Sequence, residues 1–230
     1  IDKMFKYRFF QVILAIAVVM LIVSSAVFIS FQGVNISEAE YTSEMTGRTF
    51  ETDGADGSET ALTEFEAWLE YSIIVDGLKE AGNNVDFDKG NVKLCDYNLT
   101  QLRQLKKVKD EAKRMMFLSV ILLIIGFLAV KKRRMYECVV WGGVAASVIG
   151  MVSLILLAVS GSGIFYGVRE MVFKGRYDVF FSGDDRLIAL IPDNLGLRMF
   201  LIYTGVILAG LVITIIVRLI SWRKTQPHKF

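Results

Sequence analysis

The stretch FKGRYDVFFSGDDRLIALIPDNLGLR, residues 173–198, decides how the rest of the chain is interpreted. It mixes aromatic and aliphatic residues with Asp, Lys and Arg, so it is too charged to span a bilayer and too apolar for an ordinary solvated loop. A long apolar run flanks it on each side. The pattern is typical of a segment at a membrane surface, with apolar side chains among the lipid headgroups. The alternative interpretation is a connector that merely floats at the interface.

The composition is that of an integral membrane protein. The 230 residues are 53% apolar and 22% charged, and the mean hydropathy is +0.47. A net charge of +2 gives no indication of nucleic-acid binding. Cys95 and Cys138 fall on opposite sides of the membrane in the topology below, and His228 is a single histidine. We therefore predict no disulfide, no metal site and no cofactor.

Four apolar runs, at residues 9–30, 115–130, 138–160 and 199–217, predict four transmembrane helices. The first run could instead be a cleavable signal peptide, because Ser24-Ser25-Ala26 offers small residues, but its length favours a retained span. The amphipathic residues 99–114 lead into the second run without a breaker, so we expect one continuous helix there. Its apolar stripe comprises Leu99, Leu102, Leu105, Val108 and Ala112, and its polar, basic face includes Lys106, Lys107 and Lys109.

The predicted fold class is an all-α polytopic membrane protein with a small, mainly helical extracytoplasmic domain between the first and second spans. The expected segments are residues 1–30, 31–114, 115–160, 161–198 (an interfacial loop) and 199–230. Within residues 31–114, Ser58 is expected to cap a helix with apolar positions Leu62, Phe65, Trp68, Leu69 and Ile73, and residues 85–95 suggest a short hairpin. Small residues four apart predict close helix packing at Gly142, Ala146 and Gly150, and again at Gly205 and Ala209.

The distribution of Lys and Arg predicts the orientation of the spans. The N-terminus, the basic turn at residues 131–134 and the C-terminal tail carry eleven Lys and Arg together. The opposite side carries five once residues 31–114 are discounted, since long loops translocate largely regardless of charge. We therefore expect both termini in the cytoplasm.

The chemistry open to such a chain is limited. The predicted spans contain almost no ionisable residues in their interiors, which argues against a pump, a secondary transporter or an ion channel. The single histidine lies in the tail, so no Ser-His-Asp or Cys-His pairing is available outside. An acyl transfer in which the substrate supplies the nucleophile needs a base and an oxyanion donor. Candidate bases are Asp178, Asp184 and Asp185, and candidate donors are Tyr177, Arg176 and Arg186. A solvated turn is the alternative for residues 184–186.

The arrangement resembles the bacterial lipoprotein intramolecular transacylase family, Lit, which has four spans, an outer domain after the first span and an aromatic loop before the fourth. Residues 179–181 (VFF), 183–184 (GD) and 185–193 (DRLIALIPD) stand where that family has its loop pattern. The Trp-containing stretch of the family is missing. Residues 104–109 (QLKKVK) are similar to a second family pattern, His-Met-x-Asp-Val-Lys. Gln104 and Tyr177 stand at the two positions where the family has histidines.

The resemblance implies an enzyme that shifts an acyl chain from the diacylglyceryl group to the N-terminal cysteine amine of a lipoprotein at the outer leaflet. The implied partners are a diacylated lipoprotein or membrane lipid and anionic lipid headgroups, in the plasma membrane of a bacterium. The alternative is a catalytically degenerate member that binds lipoprotein, lipid or a protein partner without chemistry. The candidate catalytic residues are Tyr177, Asp178, Asp184, Asp185 and Gln104, and the candidate substrate-binding residues are Arg176, Arg186, Lys109, Phe180 and Phe181.

Overall fold

A computed structural model describes residues 2–47, 50–53, 59–80, 87, 89–90, 92, 94, 96–129, 132–158, 190–192 and 194–225. The chain begins with helix α1 (Asp2–Ser30), followed by a 3-10 turn (Phe31–Val34) and helix α2 (Glu38–Met45). Strands β1 (Phe50–Asp53) and β2 (Glu59–Leu62) precede helix α3 (Glu64–Lys79). Helices α4 (Asp96–Ala129), α5 (Lys132–Ala158) and α6 (Leu195–Thr225) follow.

The predicted all-α polytopic fold is confirmed. Helices α1, α4, α5 and α6 are each long and apolar enough to cross a membrane, judged by length and composition. The expected continuous helix is also observed, since α4 runs from residue 96 to residue 129 without interruption. In the described residues, the exception to the helical architecture is the antiparallel pair β1–β2, in which Phe50 lies opposite Leu62.

The chain divides into two compact units. The membrane unit comprises Ile1–Ser30, Glu111–Phe165 and Phe200–Phe230, and the polar unit comprises Phe31–Asp110 and Tyr166–Met199. Helix α4 contributes its first half to the polar unit and its second half to the membrane unit. The polar unit is therefore built from two stretches that are far apart in the sequence.

Small residues allow the helices of the membrane unit to approach closely. A Cβ atom added to Gly142 on α5 would lie 2.6 Å from the carbonyl oxygen of Ala15 and 2.7 Å from Cβ of Val18, both on α1. Gly150 on α5 packs in the same way against Ile207 of α6, and Ala146 between them is fully buried. The predicted packing stripe on this helix is confirmed, because small side chains let backbones approach to van der Waals contact.

The second predicted stripe is wrong. Gly205 and Ala209 on α6 are exposed, and nothing lies within 4 Å of a Cβ added to Gly205. The glycine of α6 that contacts another helix is Gly210, which packs against Ile22 of α1. The spacing of small residues identified the helix but not the face that it buries.

Helix α3 begins later than the sequence suggested. Ser58 lies outside the described residues, and residues 59–62 pair with β1 instead of forming the first helical turn. Thr63 is the N-cap: its hydroxyl accepts from the Glu66 backbone, and the Glu66 carboxylate accepts from the Thr63 N–H at 2.8 Å. The bond from the Thr63 backbone is the main reason that the pKa of Glu66 is lowered.

The buried face of α3 is also shifted from the predicted stripe. Phe65 and Leu69 are 51% and 40% exposed, whereas the residues that enter the core are Ala67, Tyr71, Ile74, Val75 and Leu78. The stripe was placed on the face with the larger aromatic residues. Burial instead follows the side chains that fit against α2, and this face includes Tyr71, whose ring contacts that of Tyr41 on α2. The hairpin suggested at residues 85–95 lies mostly outside the described residues and stays a prediction.

The packing of the membrane unit can be tested by making the same glycine-to-alanine substitution at two positions, one in a helix contact and one in open space. Gly142→Ala forces a Cβ into the backbone of α1 and should lower the free energy of unfolding by about 1–3 kcal/mol. Gly205→Ala meets open space and should be neutral or stabilising by up to about 1 kcal/mol, because alanine is the better helix former. Thermal unfolding of both variants in the same detergent measures the difference. Equal effects would show that α1 and α5 do not pack as described.

Candidate functional site

Two of the predicted site residues, Gln104 and Lys109, belong to the described part of the chain. Both lie on the first half of α4, within the polar unit. The other predicted site residues lie outside the described residues: Arg176, Tyr177, Asp178, Phe180, Phe181, Asp184, Asp185 and Arg186. Their roles remain predictions.

The buried face of α4 is more polar than the sequence pattern predicted. Asn98, Gln101 and Lys106 are 3–4% exposed, in line with the apolar Leu102 at 3%. The prediction that Lys106 belongs to an exposed basic face is wrong, and Val108, expected in the apolar stripe, is 40% exposed. Buried polar side chains need partners, because an unsatisfied polar group in a protein interior carries a desolvation cost.

Lys106 and Lys109 find those partners at the end of α3. The Lys106 ammonium donates to the carbonyl oxygens of Gly77 and Glu80, and the Lys109 ammonium donates to the carbonyl oxygen of Leu78 at 2.6 Å. The last carbonyls of a helix lack intrahelical donors and carry partial negative charge, so two cations stabilise them. The two lysines therefore fasten α4 to the C-terminal end of α3.

This contact bears on the predicted roles of the α4 lysines. Lys109 is a candidate substrate-binding residue, and its ammonium donates to a carbonyl at the end of α3. Lys106 also lies 4.0 Å from Asp110, one turn along the same helix. Lys107 has Glu111 at the same i, i+4 spacing and is exposed, so no such pattern in the sequence separated Lys106 from its neighbours. Substrate binding by Lys109 stays a prediction.

Gln104 has an unusual polar environment. Its Oε1 atom is buried and has no hydrogen-bond partner among the residues that the structure describes. A side-chain amide has one acceptor oxygen and two donor hydrogens, and the two ends are assigned from their partners. Gln104 can therefore present either an acceptor or a donor to a polar group at this position. It cannot take up a proton at neutral pH, so any role in catalysis would be to orient or to stabilise.

Two stacked tyrosines lie at the centre of the polar unit. The ring of Tyr41 on α2 lies 5.1 Å from the ring of Tyr71 on α3. The Tyr71 hydroxyl donates to the carbonyl oxygen of Val34 at 2.7 Å, and the Tyr41 hydroxyl donates to the carbonyl oxygen of Leu190 at 2.9 Å. The stack thus connects the segment that follows α1 with the segment that precedes α6.

An ion pair makes a second connection to the same segment. Arg198, in the first turn of α6, pairs with Glu40 on α2, and its guanidinium also lies 4.0 Å from the carboxylate of Glu44. Glu40, Tyr41 and Glu44 occupy neighbouring positions of one short helix. Glu40 and Arg198 are more than 150 residues apart in the sequence, so no local pattern could have predicted that they pair.

The described end of the predicted interfacial loop shares a core with α4. Leu190 is 2% exposed and belongs to the same apolar cluster as Leu102, Tyr41 and Tyr71. Leu99, Leu105, Ile191, Leu195 and Met199 pack against this cluster. The start of α4 and the described end of the 161–198 segment therefore come together at these residues.

These observations define a class of protein, a polytopic membrane protein in which a compact polar unit forms between the first and second spans and is completed by residues before the fourth. Solved structures of the membrane integral lipoprotein intramolecular transacylase Lit from Bacillus cereus match the chain. One, a variant with a histidine replaced by arginine, has a TM-score of 0.70 at 11% identity. The match covers 97% of this chain and 95% of the Lit chain. A second has a TM-score of 0.69 at 12% identity, with 94% and 96% covered.

The similarity extends over nearly the whole length of both chains, so the chain has the fold of Lit. At 11–12% identity it establishes the fold alone, since one fold can carry different functions. No family profile and no curated protein sequence matches the chain.

The contact of Lys106 with the end of α3 predicts that substitutions of Lys106 and of its neighbour Lys107 will have very different effects on stability. Lys106→Met removes the ammonium that serves the carbonyls of Gly77 and Glu80 and should lower the free energy of unfolding by about 1–3 kcal/mol. Lys107→Met, an identical change on the exposed face, should stay within about 0.5 kcal/mol of the parent. Denaturant unfolding followed by far-UV circular dichroism measures both. A loss of stability in the Lys107 variant equal to that in the Lys106 variant would contradict the assignment.

The stacked tyrosines predict sensitivity to alkali. Burial raises the pKa of Tyr71, and electrostatic repulsion from Tyr41, once that phenol ionises, and from the Glu44 carboxylate raises it further. The unfolded chain releases this proton near its ordinary value of about 10, whereas the folded protein keeps it. The contribution to stability is therefore complete below about pH 10 and is lost as the pH rises above it.

Tyr71→Phe should remove this part of the pH dependence. The unfolding free energy of the parent protein should fall more steeply above about pH 10 than that of the variant. Chemical denaturation at a series of pH values between about 9 and 11 measures the two slopes. Parallel curves would show that Tyr71 ionises as readily in the folded protein as in the unfolded chain.

Proposed function

We propose that the protein is a membrane acyltransferase that moves an acyl chain from the diacylglyceryl group of a lipoprotein to the amine of its N-terminal cysteine. The observation that carries the proposal is the similarity of fold to Lit over 97% of the chain at a TM-score of 0.70. The loop and α4 patterns noted in the sequence support it independently of the fold.

The reaction needs little covalent chemistry from the enzyme. The substrate amine attacks the ester carbonyl of a neighbouring acyl group, an amide C–N bond forms, and the ester C–O bond breaks. The proton lost by the amine is returned to the glycerol oxygen, so no cofactor is consumed. The enzyme has to deprotonate the amine, stabilise the oxyanion and hold two groups of one molecule together.

Residues of this chain can be assigned to the roles of base, oxyanion donor and orienting group. Asp178, Asp184 or Asp185 is proposed as the base, since Gln104 and Tyr177 stand where the family has histidines. Tyr177 or an arginine, Arg176 or Arg186, is proposed as the oxyanion donor. The buried, unpartnered Oε1 of Gln104 is suited to accept from the substrate amine and to orient it.

The remaining assignments follow from the substrate. Phe180 and Phe181 are proposed to contact the acyl chain. We propose the plasma membrane of a bacterium as the location, with both termini in the cytoplasm and the polar unit at the outer leaflet, where it would meet diacylated lipoproteins and anionic headgroups. Lys109 is not needed in this scheme, because its ammonium serves the carbonyl of Leu78.

One observation favours a second candidate function. The described α4 residue that matches a family histidine is a glutamine, which cannot transfer a proton. A protein with this fold and without a base would bind a lipoprotein, a lipid or a protein partner and leave it unchanged. The two candidates predict different products, so one experiment distinguishes them.

The test is the conversion of a synthetic diacylglyceryl-cysteine lipopeptide by the purified full-length protein in lipid nanodiscs. We expect mass spectrometry with fragmentation to show one acyl chain transferred to the α-amine. A matched lipopeptide with an acetylated α-amine should not react, because it lacks the nucleophile. Binding of the free-amine lipopeptide without any transfer would establish the second candidate instead.

Substitution of the aspartates then identifies the base. Asp184→Asn or Asp185→Asn should reduce the transfer rate by about 100-fold or more if the altered carboxylate is the base. Asp76→Asn, which changes an aspartate with a 75% exposed side chain on α3, is the matched control and should leave the rate unchanged. Undiminished rates in both test variants would exclude both residues from catalysis.

A further inference from the structure

Residues 190–198 are held at both ends by one side of helix α2. The Leu190 carbonyl accepts from the Tyr41 hydroxyl at 2.9 Å, and Arg198 pairs with Glu40 and lies 4.0 Å from Glu44. The three α2 residues follow one another at i, i+1 and i+4. Tyr41 is fully buried, so its hydroxyl has little opportunity to exchange the Leu190 carbonyl for water.

We propose that α2 is a positioning element for the acyl transfer, in which Tyr41 and Glu40 fix the segment 190–198 and thereby align the site next to it. The inference rests on the proposed function and adds two residues that do not touch the substrate. Neither belongs to the patterns that carried the resemblance to the Lit family. Their effect would be exerted through the backbone of Leu190 and the side chain of Arg198.

The local structure of α2 suits such a task. The helix has only eight residues, yet both ends are fixed: the Ser37 hydroxyl accepts from the Glu40 N–H, and Gly47, with φ 84°, supplies the left-handed residue after its C-terminus. Met45 and Tyr41 are both fully buried beneath it. Because this short helix is held at its ends and along one side, it cannot shift together with Leu190 unless the packing of its buried side chains is disrupted.

Chain connectivity explains why this matters for the reaction. Only four peptide units separate Leu190 from Arg186, and each residue extends by at most about 3.6 Å. Chain length alone therefore limits Arg186, a proposed oxyanion donor, to within about 14 Å of the fixed Leu190. Misplacement of a reacting group by about 1 Å can cost roughly 100-fold in rate, so a lost anchor should appear in kcat.

The stacked ring provides a matched control. Tyr71 is as buried as Tyr41 and also donates to a main-chain carbonyl, but that carbonyl belongs to Val34, on the segment after α1. Tyr41→Phe and Tyr71→Phe each remove one hydroxyl from the same ring pair. Both should cost similar stability, and only the first should affect the reaction.

The kinetic test uses the lipopeptide assay in nanodiscs. We expect Tyr41→Phe to lower kcat by roughly tenfold to 100-fold with KM within about twofold, and Tyr71→Phe to leave both within about twofold. Glu40→Arg should also lower kcat, and adding Arg198→Glu should restore at least part of the loss by re-forming the pair in reverse. Equal kcat values for the two tyrosine variants would overturn the inference, even if the parent enzyme is fully active.

A second measurement keeps the inference separate from the proposed function. Trypsin cleaves after Arg186. The rate of that cleavage in the full-length protein reports how firmly Leu190, four residues further along the chain, is held. Cleavage should be several-fold faster in Tyr41→Phe than in the parent or in Tyr71→Phe, whether or not the lipopeptide reacts. Faster cleavage without acyl transfer in the parent would reject the proposed function and, with it, the role of α2 in acyl transfer, and would retain only the anchoring of residues 190–198 by α2. Equal cleavage in both variants would reject the inference.

Discussion

The polar unit depends on the contact between two tyrosine rings. Each hydroxyl donates to a main-chain carbonyl in a different part of the sequence, Val34 for Tyr71 and Leu190 for Tyr41. Buried phenols require such partners, and buried carbonyls outside regular structure require donors, so each group satisfies the other. The ring faces supply apolar area to the core at the same time. This one contact therefore sets the distance between the segments that leave α1 and enter α6.

The two halves of helix α4 differ in the character of their side chains. Its first half carries buried polar residues that serve the end of α3, and its second half exposes large apolar residues along its length. A helix can extend through such a change of side-chain character because its backbone hydrogen bonds are satisfied internally in both halves. Lys106 and Lys109, near the end of the first half, donate to carbonyl oxygens of α3, so the polar groups of these two side chains are satisfied within the protein.

The sequence predicted most of what depends on local patterns. Four spans, a continuous α4 and the small-residue contact at Gly142 and Gly150 all follow from periodicity and length, which the chain carries in every window. The errors arose where a distant partner decides the outcome. Lys106 is buried because α3 ends beside it, and Gly205 is exposed because Gly210 makes the helix contact. Of the candidate site, the sequence indicated the two stretches involved, but α2, Tyr41 and Arg198 depend on pairings across more than 140 residues.

The composition of the shared core has a consequence for biosynthesis. Its members extend from Val34 through α3 and Leu102 to Leu190. A ribosome must therefore synthesise three of the four apolar helices before the last core residue is available, so the early part of the polar unit waits with part of its apolar surface unburied. During that interval the nascent chain depends on the lipid surface or on a chaperone to protect this surface. An isolated fragment ending after α3 would lack its closing residues and should not be expected to fold alone.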